Sequence, residues 1–163
     1  INESIQSKDI YAKVLVDNES PYLKSIILNK GSRDKVKLGM AVVEESYLVG
    51  KIIEVNFTNS RVLLLNDLNS KIPVILEPYD MQAVLSGTGQ GYGVIEYTKK
   101  EYKDLMKGEV TVYTSGQGGM FKPGLPVGSL NNKIGEKSYI NFFFFFFQVD
   151  YVKIVSFEIG VSD

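Results

Sequence analysis

The chain has neither cysteine nor histidine among its 163 residues. Without cysteine there is no disulfide framework, no thiolate zinc site and no thiol nucleophile. Without histidine, Ser-His-Asp hydrolysis, Cys-His proteolysis and imidazole-ligated metal centres are excluded. What remains is acid-base work by paired carboxylates, lysine-based chemistry, or binding without catalysis. Charge of one sign is also lacking: 18 Lys+Arg stand against 19 Asp+Glu for a net -1, and the arginines are Arg33 and Arg61 alone. That balance is far from the basic bias of a nucleic-acid backbone binder. Nor is there a run near the ~20 apolar residues of a membrane-spanning helix. The longest apolar run is Phe142 to Phe147.

What is present is the composition of a folded protein, 44% hydrophobic and 23% charged. A chain of this length buries roughly 70% of its extended surface, enough for one ordinary domain or two small ones. It opens on Ile1 with no initiator methionine, so we expect a longer product whose preceding segment holds any signal or anchor.

Period-two patterning dominates. Ile10, Ala12, Val14 and Val16 alternate with Tyr11, Lys13, Leu15 and Asp17, which assigns the first set to one face of a strand. Further strands are predicted over 25–29, 41–44, 48–55, 61–66, 72–76, 81–85, 92–97, 110–114, 125–130, 139–147 and 151–159. Two poor helical stretches lie at 1–9 and 98–107. About twelve short strands without crossover helices predict an all-β protein of antiparallel sandwiches or closed barrels. Twelve exceed one small barrel, and the stretch Gly87 to Gly93 near the midpoint is the expected hinge between two.

The six phenylalanines break the alternation expected of a strand with one wet face. Three readings stand side by side: burial on both faces, a partner-binding surface, or misassigned residue identities.

Glycine-rich stretches invite chemistry. In Gly87-Thr88-Gly89-Gln90-Gly91-Tyr92-Gly93, G-x-G-x-x-G fails in both registers, and no helix follows to receive a phosphate. Thr114-Ser115-Gly116-Gln117-Gly118-Gly119 resembles the surroundings of a protease serine, but the base would have to be Lys107 or Lys122. A tight loop closed by Pro123-Gly124 is the plainer reading. Glu44 and Glu45 would point to opposite faces of a strand and serve as hairpin charges, and Asp67 reads as a turn former. Ten Tyr and nine Phe exceed what two small cores must hold, and Tyr22, Tyr47, Tyr92, Tyr97 and Phe121 lie in or beside loops, where aromatics favour interfaces.

Five stretches in order carry a resemblance: Ile27-Leu28-Asn29-Lys30-Gly31-Ser32 with 36–43, Leu48-Val49-Gly50-Lys51-Ile52, Val62 to Asp67, Thr114-Ser115-Gly116 through Phe121, and Pro123 to Gly128. Across residues 10–157 the chain resembles the extracytoplasmic region of the rod-shape-determining MreC family. Lys122 stands where that family commonly has proline.

The resemblance implies two six-stranded antiparallel barrels in tandem, a chymotrypsin-like architecture without the catalytic residues. Residues 1–9 would end a coiled coil or linker, 10–82 would form the first barrel and 83–163 the second, with strand exchange between them allowed. It implies the periplasmic part of a single-pass inner-membrane protein, with a membrane anchor and a dimerising coiled coil beyond this chain. It implies a non-catalytic scaffold for peptidoglycan synthesis, without cofactor or metal. The implied partners are the class B penicillin-binding protein 2 transpeptidase and the MreD, RodA, RodZ and MreB machinery, with homodimerisation or higher self-assembly. Candidate partner-binding residues are Tyr92, Tyr97, Phe121 and Leu125, with Phe143 and Phe145 from the phenylalanine run. The alternatives are a self-assembling structural β-protein and a Ser-Lys hydrolase centred on Ser115.

Overall fold

In a computed structural model of the chain, described for residues 2–6, 9–19, 23–96, 108–117, 121–135, 137–146, 149–156 and 158–162, the predicted alternation becomes strands wrapped around two cores. β1 spans Asn2–Gln6 and β2 Asp9–Glu19. On β2, Ala12 is buried while Tyr11, Lys13 and Leu15 are exposed, as period two requires. There follow β3 (Lys24–Leu28), β4 (Ala41–Glu44), β5 (Tyr47–Val55) and β6 (Ser60–Leu64). Then come β7 (Lys71–Glu77), β8 (Met81–Gly87), β9 (Tyr92–Glu96), β10 (Thr111–Thr114), β11 (Pro126–Ile134) and β12 (Lys137–Phe142). β13 (Tyr151–Val155) and β14 (Glu158–Ser162) end the order.

The strands close into two antiparallel barrels, one in the order β13-β2-β3-β6-β5-β4 and one in the order β10-β11-β12-β9-β8-β7. Closure removes the open edges that would template aggregation. Among the described residues no helix is long and apolar enough to cross a membrane.

The connectivity corrects the expected division near residue 82. β7 and the whole of β8 belong to the second barrel, while β13 returns to the first, a strand exchange of the kind the resemblance allowed, pairing with β2 on one side and β4 on the other. The second barrel is therefore inserted between β6 and β13. The glycine-rich stretch is no hinge between barrels, because Gly87 and Gly93 face each other in the β8–β9 ladder and close a hairpin. The first connection between barrels is 65–70, where Leu65, Asn66, Asp67 and Ser70 are buried. It is pinned to the hairpin by Gly87 N–H donating to Ser70 O at 3.0 Å and Gly89 N–H to Asn66 O at 2.7 Å.

Residues 2–6 correct a second expectation. They form a strand paired with β14 from Asn2↔Ser162 to Gln6↔Glu158, in a two-stranded ribbon apart from both barrels. The predicted helix at 98–107 lies outside the described residues.

Two buried clusters fill the barrels. Ile26, Leu28, Val49, Ile52, Val62 and Ile154 lead the first, and Ile72, Val74, Leu76, Leu85, Ile95 and Val112 the second. Each such side chain contributes about 1.5–3 kcal/mol relative to exposure. Ala41, Val43, Leu48 and Val155, all on first-barrel strands, pack into the second cluster. Their strand neighbours Val42, Val49 and Ile154 point the other way, into the first. β4 and the start of β5 are thus buried on both faces, which is why they read as continuous apolar runs and not as alternation.

Candidate partner-binding surface

The chain leaves β12 at Phe142 and must cross from the second barrel back to the first before β13 begins at Tyr151. The predicted strand through residue 147 therefore stops early, and most of the described phenylalanine run lies in the crossing. Alternate rings turn inward. Phe142 packs on the second cluster, Phe144 is buried in the first, and Phe146 touches both. Phe146 meets Phe144 edge to face at 4.9 Å between centroids and Phe142 at 5.6 Å, near-perpendicular geometries that suit aromatic quadrupoles. The other two rings turn out. Phe143 is half-buried with its ring 5.3 Å from that of Tyr47, and Phe145 is 80% exposed. Within the described run, burial of Phe144 and exposure of Phe145 thus alternate along the chain.

Tyr47 opens β5 directly opposite Glu44 in the hairpin ladder. Glu45 sits in the turn at φ 56, a left-handed conformation, so the opposite-face rule for strand neighbours does not separate it from Glu44. Burial pushes the Glu44 carboxyl above its ordinary 4.5, and the charges of Glu45 and Asp150 push it further. The three carboxylates do not form a metal site: among the described residues no group of three or more acidic side chains is placed to hold an ion.

Of the other sequence candidates, Tyr92 is 38% exposed and stands edge to face with Tyr139 at 5.6 Å. Tyr92 pairs with Asn141 across the β9–β12 ladder. Tyr92 thus stands level with Asn141, two residues before Phe143, and Tyr139 stands four residues before it. Leu125 is half-buried against the second core. Phe121 is a correction: at 5% exposure it belongs to that core and offers no surface. Tyr97 and Tyr22 lie outside the described residues. Tyr47 was visible in the sequence as a loop aromatic, but its ring contact with Phe143 spans 96 positions and left no local signal. Tyr11 and Tyr151, exposed at 72% and 67%, are the outward residues of β2 and β13 that alternation alone could have named.

The serine loop is architectural. The buried Thr114 hydroxyl donates to Lys122 O at 2.7 Å and accepts Leu125 N–H at 2.9 Å, which ties Lys122 and Leu125 to the end of β10. The Ser115 hydroxyl accepts Gln117 N–H at 3.1 Å. Among the described residues no lysine ammonium hydrogen-bonds it, and Lys107 lies outside them.

The family model described as "Rod shape-determining protein MreC, barrel core" matches residues 14–156. The cell shape-determining protein MreC of Cereibacter sphaeroides is 40% identical over 117 residues, 72% of this chain and 38% of that protein. The chain spans about two fifths of the length of the curated relatives it matches. A solved MreC structure superposes with a TM-score of 0.81 at 26% identity, covering 91% of this chain and 88% of that one. A chain from the complex between Penicillin-Binding Protein (PBP2) and MreC of Helicobacter pylori superposes at 0.61, with 15% identity over 90% of this chain and 98% of that one. At that identity the likeness is one of fold.

Proposed function

This chain belongs to the MreC family, and from that premise we propose that it is a non-catalytic, extracytoplasmic scaffold of cell-wall elongation that maintains cell shape by docking the penicillin-binding protein 2 transpeptidase. The observation that carries the reading is the phenylalanine crossing. Phe145, 80% exposed beside the Phe143–Tyr47 pair, makes an aromatic patch of the kind that partner surfaces cover. The complex of an MreC with PBP2 in Helicobacter pylori supports the choice of partner. Phe143 and Phe145 are the proposed anchors, with Tyr92 and Leu125 along the second barrel extending the contact, and Tyr97 belongs to the same proposal. A membrane anchor beyond this chain would hold the scaffold near MreD, RodA, RodZ and, across the membrane, MreB.

The test is capture of the extracytoplasmic part of the cognate transpeptidase by the purified chain. Phe145→Ala and Tyr92→Ala should each weaken capture by about tenfold or more, as central aromatic anchors do, while leaving the melting curve in place. Parent-like capture by both folded variants would remove this surface from the proposal.

A second reading, self-association, is favoured by the β1–β14 ribbon, which among the described residues has one ladder and no strand on either outer edge. An isolated two-stranded ribbon is marginal in water, so edge pairing with a second copy would stabilise it. Light scattering should show a dimer that is lost when residues 1–6 are removed. A constant monomer mass up to millimolar concentration would exclude this reading for the chain.

A further inference from the structure

We propose that the segment docking on the Tyr47–Phe143–Phe145 face is cationic as well as apolar, presenting lysine or arginine to a rim formed by Glu44, Glu45 and Asp150. The inference deepens the docking reading above and rests on it.

The apolar part of the surface is Phe145 at 80% exposure and Tyr47 at 38%, with Phe143 wedged against Tyr47. The acidic part adjoins it. Glu44 faces Tyr47 across the β4–β5 ladder, Glu45 follows in the turn, and Asp150 immediately precedes β13, which pairs with β4. Burial, and after it the charges of Glu45 and Asp150, disfavour ionisation of Glu44. None of the three has an ion-pair partner among the described residues. The basic residue of β13, Lys153, pairs instead with Asp9 at 3.6 Å. Three carboxylates without contact ion pairs thus stand beside exposed rings, and the neighbouring cation of β2, Lys13, lies opposite Tyr151 in the β2–β13 ladder. A neutral or acidic partner would desolvate those carboxylates without compensation, whereas a cation relieves their mutual repulsion and steers encounter. Tyrosine and phenylalanine rings also offer their faces to lysine or arginine.

The experiment compares two probes on the intact chain, a short peptide alternating leucine and lysine and its leucine–glutamate counterpart. The lysine peptide should bind and weaken by about tenfold or more between low salt and roughly 0.3 M, where the Debye length falls below 8 Å. The triple variant Glu44→Gln, Glu45→Gln, Asp150→Asn should lose a similar factor while melting no lower than the parent, since repulsion is removed. Phe145→Ala should weaken binding at every salt concentration. Equal binding of both peptides, or unchanged binding of the lysine peptide to the triple variant, would overturn the charge preference. Capture of the transpeptidase is measured in parallel to separate the two failures. If parent and triple variant capture it equally and Phe145→Ala does not, docking stands and the cationic requirement falls. If the lysine peptide binds the rim but the parent captures no transpeptidase, the charge preference stands and that occupant falls.

Discussion

The carboxylate of Asp67 accepts the backbone N–H of Lys24 at 2.6 Å, joining the connection between the barrels to the first residue of β3 across 43 positions of sequence. Its other oxygen accepts Asn69 N–H at 2.7 Å and the Asn69 side-chain amide at 3.1 Å. Asp67 is 3% exposed, so three donors satisfy a charge that would otherwise be costly to bury.

Asp67→Ala should therefore cost about 2–4 kcal/mol, because it orphans donors that had a charged acceptor. Asp67→Asn keeps one acceptor oxygen and should cost about half as much. Urea unfolding measures both, and an alanine variant as stable as the parent would show that water replaces the carboxylate.

The same connection is sensitive from the opposite side. A methyl group on Gly87 would overlap the carbonyl oxygen of Asp67, whereas one on Gly91 meets nothing within 4 Å. Gly87→Ala should destabilise by about 1–3 kcal/mol through forced displacement of packed backbone, and Gly91→Ala should stay within about 0.5. Thermal melts of the pair check this, and equal melting temperatures would mean the hairpin and the connection move freely apart.

The barrel strands were legible because alternation is local: the pattern of 10–17 placed Ala12 inside and Tyr11 outside without knowledge of any partner. The barrel division was not. The glycines of 87–93 are a strong punctuation signal and mark only a hairpin, while the true connection at 65–70 is held by long-range bonds such as Asp67 to Lys24. The return of β13 to the first barrel is a topological choice that no local pattern encodes. Part of the proposed surface was legible for the same local reason. Phe143 and Phe145 could be named as a residue type out of place, but the partnership of Phe143 with Tyr47 depends on where the crossing runs.

Glu44 sets a pH dependence. Its carboxyl titrates above 4.5 in the folded chain because of burial, then Glu45, then Asp150, so the fold prefers it protonated. That contribution is fully present below the unfolded value and lost as pH rises through the folded one. Among its other neighbours, Tyr47 faces it in the ladder and Lys153 is engaged with Asp9. Glu44→Gln should melt higher than the parent at pH 7, with the difference shrinking as pH falls toward 4. Asp150→Asn should lower the upper end of that window. Melting scans from pH 4 to 7 read both, and a Glu44→Gln variant that is no more stable at pH 7 would contradict the assignment.

The alternation within the phenylalanine crossing predicts opposite consequences for neighbouring residues. Phe144 is 4% exposed inside the first cluster, so Phe144→Ala should cost about 3–5 kcal/mol in lost transfer energy and cavity. Phe146 is only half-buried, but it touches both clusters and the rings of Phe142 and Phe144, so its removal loosens the barrels from each other as well as from the crossing. Phe145→Ala removes a ring already in water and should change stability by about 0.5 kcal/mol or less. Urea unfolding of the three variants should thus lower the midpoint at 144 and 146 while leaving it unmoved at 145. Equal losses at 144 and 145 would mean that both faces of the crossing are buried. In that case Phe145 could not serve as a docking anchor, and the surface would have to lie at Tyr92 and Leu125 instead.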